Sequence, residues 1–213
     1  MKNIVLLSIF IFACNLHSQI MTRYLIENVD IVDYVTLELC ADISNGINSV
    51  NVVEERTTHK TKNNINKLID YLKSMEYPKD GPLIDKCRNL TFSFINPSFD
   101  KMKLDVQDCD ECTKYKYGKY NYHHINYKNT KIKRNRRIQK EIGEKDRQIY
   151  KIEWTSNCSY ILTYQRMSEP KLRSLIGGKI EVEIIKLLEN NGYVYRSIDT
   201  KGIVRYGAIY KSD

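Results

Sequence analysis

"DCDECTKYKYGKYNYHH" runs from Asp108 to His124 near the middle of the chain. It carries Cys109 and Cys112 in C-x-x-C spacing, the adjacent His123 and His124, and a ladder of tyrosines. Three readings compete: a redox pair, a metal centre, or the stapled first strand of a β domain. A thioredoxin-type pair holds its second cysteine in the first turn of a helix, where the dipole lowers the thiol pKa. Here Tyr115, Tyr117 and, past Gly118, Tyr120 and Tyr122 alternate as on a strand. Zinc needs four ligands with converging directions, whereas neighbouring histidines on a strand point to opposite faces. The staple remains. "WTSNCSYILTY" sets Cys158 at the head of another strand, before alternating Tyr160, Leu162 and Tyr164. A bond from Cys112 to Cys158 is therefore expected, with Cys109 as the odd thiol. Cys40 and Cys87 are a second candidate pair. No metal and no cofactor are expected.

Working outward from that stretch, "TKIKRNRRIQKEI", "QIYKIEWTSNCSYILTYQR", "GGKIEVEIIKLL", "GYVYRSID" and "GIVRYGAIY" read as short strands with turn residues at regular spacing. Only "EPKLRSLIG" has helical character. Such a series suggests a curled sheet or small barrel over residues 107–213. Cys112, Lys116, Gly118 and Tyr120, then Arg134, Asn135, Gln139 and Glu141, then Trp154, Cys158, Tyr160, Leu162 and Tyr164 form a longer pattern. In it, residues 107–210 resemble a family of small exported proteins and lipoproteins of Bacteroidetes-type bacteria with no established activity. The resemblance implies a lipocalin-like antiparallel β domain and transfers no catalytic residue.

The first half has a different grammar. "VDYVTLELCAD" alternates Val35, Leu37 and Leu39 against Thr36, Glu38 and Cys40. Asn45-Gly46 is a hairpin signal, and "NSVNVVEER" is the returning strand. "TKNNINKLIDYLKSME" spaces Ile65, Leu68, Ile69 and Leu72 as one face of a helix, which Pro78 ends. "YPKDGPL" is a loop, and "NLTFSFIN" is a third strand. The fold class is thus α+β, with order β-β-α-β in an N-terminal domain of residues 20–100. Residues 30–96 resemble the C-terminal domain of the TonB energy transducers. That implies a partner peptide from an envelope protein, added as an edge strand. The chain lacks the family's long Pro-rich segment, so the resemblance carries fold and not energy transduction.

"MKNIVLLSIFIFACNLHSQ", residues 1–19, has Lys2 and then an apolar run from Ile4 to Ala13. The run is too short for a membrane-spanning helix, which needs about 20 residues, and fits a secretory signal peptide. Two processing routes stay open: cleavage before Gln19, or lipidation of Cys14 at the lipobox-like "IFAC", which would tether the protein to a membrane. Either route places the protein in the periplasm or on the cell envelope. The chain has six cysteines, a number compatible with disulfides in an oxidising compartment.

No nucleophile elbow, phosphate-binding glycine loop or metal-binding histidine helix is present, so no catalytic residues and no enzymatic activity are expected. The net charge is +8. "KNTKIKRNRRIQK" supplies seven basic side chains in thirteen residues, and Lys131, Lys133, Arg134, Arg136 and Arg137 are candidate contacts to a polyanion such as lipopolysaccharide. Nucleic acid is not an expected partner for an exported chain. Tyr120, Trp154 and Tyr160 could line a ligand pocket at one end of the sheet. The functional expectation is an exported envelope binding or scaffold protein for a peptide or small apolar ligand, with binding of a polyanion (lipopolysaccharide or, less favoured, nucleic acid) through the basic segment 128–140 as the alternative.

Overall fold

The computed structural model describes residues 23–42, 46–75 and 84–212. The expected signal segment, with the expected cleavage before Gln19 or lipidation of Cys14, lies outside the described residues. So do the loop "YPKDGPL" and Asn45 of the hairpin signal.

The N-terminal unit is a four-stranded sheet with one helix. β1 (Arg23–Leu25), β2 (Asp33–Asp42), β3 (Gly46–Val52) and β4 (Lys86–Ile95) lie in the order β1-β4-β2-β3. β2 is antiparallel to β3 and β4, and the short β1 adds parallel to β4. α1 (Lys62–Ser74) connects β3 to β4. Period two on β2 and period 3.6 on α1 present complementary apolar faces. Val35, Leu37, Leu39 and Ala41 pack on Ile65, Leu68 and Leu72, with Phe92 and Phe94 of β4 beside them. Each such buried side chain contributes roughly 1.5–3 kcal/mol. Cys40 and Cys87, the second candidate pair, are direct register partners across β2 and β4 and are bonded with Cα atoms 4.1 Å apart.

The second unit is a closed barrel. A turn at Pro97–Asp100 and the helix α2 (Val106–Glu111) lead into β5 (Gly118–Tyr122). β6 (Lys131–Arg134), β7 (Ile138–Ile142), β8 (Arg147–Trp154), β9 (Ser159–Met167), β10 (Lys179–Leu188), β11 (Gly192–Asp199) and β12 (Val204–Ser212) follow. Each strand pairs antiparallel with the next, and β12 returns to β5. The result is an eight-stranded up-and-down barrel. Of the two architectures expected for this half, the barrel is the one formed.

Eight strands leave an interior just wide enough for side chains to fill. Inward residues form one continuous filling, from Tyr120, Ile132, Ile184, Tyr193 and Ile209 to Tyr150, Ile152, Tyr160, Leu162 and Val182. Gly207 faces Tyr195 across the β11–β12 pair, and a Cβ there would lie 2.5 Å from the Tyr195 hydroxyl oxygen. Only glycine admits that ring.

The two units meet through a third apolar cluster. Val32, Tyr34, Ile95 and Phe99 from the first pack on Ile185, Val194, Tyr206 and Ala208 on the outer wall of β10–β12. A bulge in β10 between Ile184 and Lys186 lets Ile184 point into the barrel while Ile185 joins this junction.

Candidate functional site

The cysteine stretch is a helical plug, not a strand. Asp105 caps α2 by accepting from the Asp108 backbone N–H at 2.8 Å, and a 3-10 turn over Cys112–Tyr115 continues it. The strand begins only at Gly118. This corrects the expected pairing: Cys109, not Cys112, is bonded to Cys158, with Cα atoms 5.3 Å apart. The next helical turn carries Cys112 past the wall into the apolar floor with Tyr115, Tyr120 and Ile132. Cys112 is free and fully buried. Burial pushes its thiol up to about 11, so it stays protonated at neutral pH and has little nucleophilic character.

Above this plug sits a buried cation. Arg134 is only 5% exposed. Its Nε donates to Gln139 Oε1 at 2.9 Å; Nη1 donates to the Tyr115 carbonyl at 3.0 Å and to the Tyr193 hydroxyl at 3.1 Å; Nη2 donates to the Tyr160 hydroxyl at 3.1 Å. The guanidinium carbon lies 4.7 Å from the Tyr160 ring centre, 5.0 Å from Tyr120 and 5.7 Å from Trp154. Tyr120, Trp154 and Tyr160, the three expected pocket residues, are therefore brought together. What lies between them is the guanidinium, held by hydrogen bonds and cation–π contacts. Burial pushes the Tyr120 phenol up to about 12 and Tyr193 well above its usual value. Gln139 relays the cluster by donating to Glu141 Oε1 at 2.7 Å, and burial raises the Glu141 carboxyl. The indole N–H of Trp154 finds no acceptor among the described residues.

Arg134 is thus a correction to the expected polyanion contacts. Alternation sends Ile132 and Arg134 inward together, while Lys131 and Lys133 point outward with Arg136 and Arg137 in the exposed turn. Lys131 donates to Asn121 Oδ1 at 2.9 Å. Pairing then adds Lys119 and Arg166, which lie outside that segment, to its Lys133 and Lys140. Lys119, Lys133 and Lys140 are successive register partners, and Ile149 and Arg166 continue the row. A shallow depression of about 750 Å³ lies on this outer wall, lined by Arg137, Ile138, Lys140, Ile149, Lys151 and Arg166 among others.

The histidines gather at the junction between the units. The His124 ring lies 4.1 Å from the Tyr34 ring, centre to centre, and His123 lies 6.1 Å away. His59 Nδ1 is 3.0 Å from Asp33 Oδ2. Among the described residues no group of His, Cys, Asp and Glu is arranged to hold a metal ion. Burial lowers His124 to about 4 and lowers His123 as well. Neither the Tyr34 hydroxyl nor His123 Nε2 has a hydrogen-bond partner among the described residues.

Among the described residues the sheet is open along β3 and, on its other side, along β4 before Ser93, where Lys86 and Arg88 carry charge. β3 reads "GINSVNV" and contains neither a charge nor a proline. It pairs with β2 on one side, and no described strand pairs with the other. No described helix is long and apolar enough to cross a membrane. No family model, curated protein or solved structure matches the chain.

Proposed function

We propose that the protein is an exported, non-catalytic binding module of the cell envelope, whose sheet captures an extended peptide of a partner protein alongside β3. The observation that carries this reading is the uncharged edge of β3, which pairs regularly with β2 over Ser49–Val52 and shifts register only at its start. Natural edges are blunted by lysine, proline, bulges or a covering segment. β3 has one register shift, between Gly46 and Ser49, and beyond it carries uncharged Ser49 and Asn51 where a lysine or proline would blunt the edge. Strand addition takes its affinity from main-chain hydrogen bonds and its specificity from alternate side chains. Two disulfides, one in each unit, support an oxidising compartment. The barrel acts as the rigid body on which the sheet is mounted.

The test is a selection against displayed linear peptides, followed by amide hydrogen exchange of the complex. Binders should protect the amides of residues 47–51 and leave the barrel unchanged. Binders that protect only barrel amides, or a selection that yields none, would remove the reading. Export is tested separately by intact mass from the native host, where a cytoplasmic species beginning at Met1 would contradict it.

A further inference from the structure

The row Lys119–Lys133–Lys140–Ile149–Arg166 runs straight across β5 to β9. Four strand gaps of about 4.8 Å make it roughly 19 Å long. Like charges directly opposite each other on a sheet are destabilising, and here three lysines are stacked in succession. Among the described residues none of the four cations in the row has a carboxylate partner; on the same wall only Lys151 does, with Glu153 at 3.0 Å. Among the described residues nothing relieves this repulsion.

The centre of this field is apolar. Ile138 is 36% exposed, and Ile149 is partly exposed between Lys140 and Arg166. The depression around them contains no aromatic side chain. We propose that this wall of the barrel binds an anionic, phosphate-bearing lipid surface, with the lysine row on the headgroups and Ile138 and Ile149 at the acyl boundary. Cations around exposed aliphatic side chains are the pattern of interfacial binding. Single-stranded nucleic acid calls instead for aromatic platforms on which bases stack, and the depression offers none. The surface is on a different unit from β3, so it stands or falls apart from peptide capture.

The experiment uses flotation of the full chain with vesicles of phosphatidylcholine alone or mixed with phosphatidylglycerol. Binding should require the anionic lipid and weaken as salt is raised. The double variant Lys133→Gln/Lys140→Gln should lose about 30-fold in partitioning, taking each basic residue near the surface as roughly fivefold. Lys62→Gln/Lys67→Gln on α1 removes the same charge elsewhere and should bind as the parent does. Ile138→Asn should weaken binding with no change of charge. The Lys133/Lys140 variant should also melt at a higher temperature, because the opposed lysines are relieved, and that result separates lost binding from misfolding. Equal losses in the two double variants would show a mere net-charge effect and overturn the proposal. So would absence of binding to anionic vesicles, or preferential binding of an oligonucleotide that displaces the protein from them.

Discussion

In the sheet, β3 ends the hydrogen-bond ladder with an uncharged strand, whereas in the barrel β12 returns to β5 and leaves no strand at an edge. The cores differ in the same sense. The sheet and α1 enclose an aliphatic and phenylalanine core, and the barrel encloses Arg134 in a shell of tyrosines. The disulfides differ as well: Cys40–Cys87 joins residues already paired across two strands, while Cys109–Cys158 ties a helical plug to a barrel wall. A closed ladder leaves the barrel only its side chains for making contacts. An open ladder lets the sheet offer its backbone. The two units therefore differ in what they leave exposed: backbone along β3, side chains alone around the barrel.

The contrast breaks most sharply at Arg134. Arg134→Ala should cost about 3–5 kcal/mol, the range for cutting into a buried charged network, and denaturant unfolding followed by Trp154 fluorescence reads it. Arg134→Met restores volume and should recover part of that loss. A loss below about 1 kcal/mol, the size of one ordinary hydrogen bond, would mean the cluster does not hold the barrel together.

Next is the staple. Cys109→Ser should destabilise the barrel by up to about 4 kcal/mol, from closure of a loop with sequence separation 49. Cys112→Ser keeps the bond and should cost only about 1–3 kcal/mol, for a hydroxyl in an apolar floor. Non-reducing peptide mapping that shows Cys112 joined to Cys158 would reverse the assignment.

A smaller effect sharpens the junction between the units. His123 and His124 have folded pKa values lowered by burial, with Asp33 partly opposing this at His123. Neutral imidazole is thus the favoured folded form. The contribution of His124 is complete above the unfolded value near 6.5 and is lost as pH falls from there toward about 4, and that of His123 is lost in the same direction. Tyr34, Tyr127 and Tyr210 face the two rings. Parent and His123→Asn/His124→Asn melting temperatures should diverge at pH 7.5 and converge by pH 4.5; a constant difference would show no linkage. The smallest stability effect is expected at the edge. Asn48→Lys/Asn51→Lys on β3 should change stability by less than about 0.5 kcal/mol and abolish peptide capture, which the displayed-peptide selection measures.

Much of this architecture was legible because alternation and helical spacing are local signals. Val35, Leu37 and Leu39 marked β2, and Ile65, Leu68 and Leu72 marked α1, within single segments. β1 was missed because three residues carry no period. The plug was missed because its tyrosine alternation starts before the strand does; Asp105 ahead of "VQDCDE" was the available cap signal. Arg134 could have been placed by parity, since Ile132 two residues earlier had to face the core. The lysine row could not be read the same way, because Lys119, Lys133 and Arg166 become neighbours only through the register of other strands.

The plug has a consequence for biogenesis. In the unfolded chain, loops closed by Cys109–Cys158 and by Cys112–Cys158 have almost the same length, and chain entropy distinguishes them by less than about 0.1 kcal/mol. An oxidase meeting the extended polypeptide has no basis for choosing between the two thiols. The choice is made only once the tyrosine floor has formed and withdrawn Cys112 from solvent. Formation of the tyrosine floor is thus what separates the two thiols, since it buries Cys112 and leaves Cys109 beside Cys158.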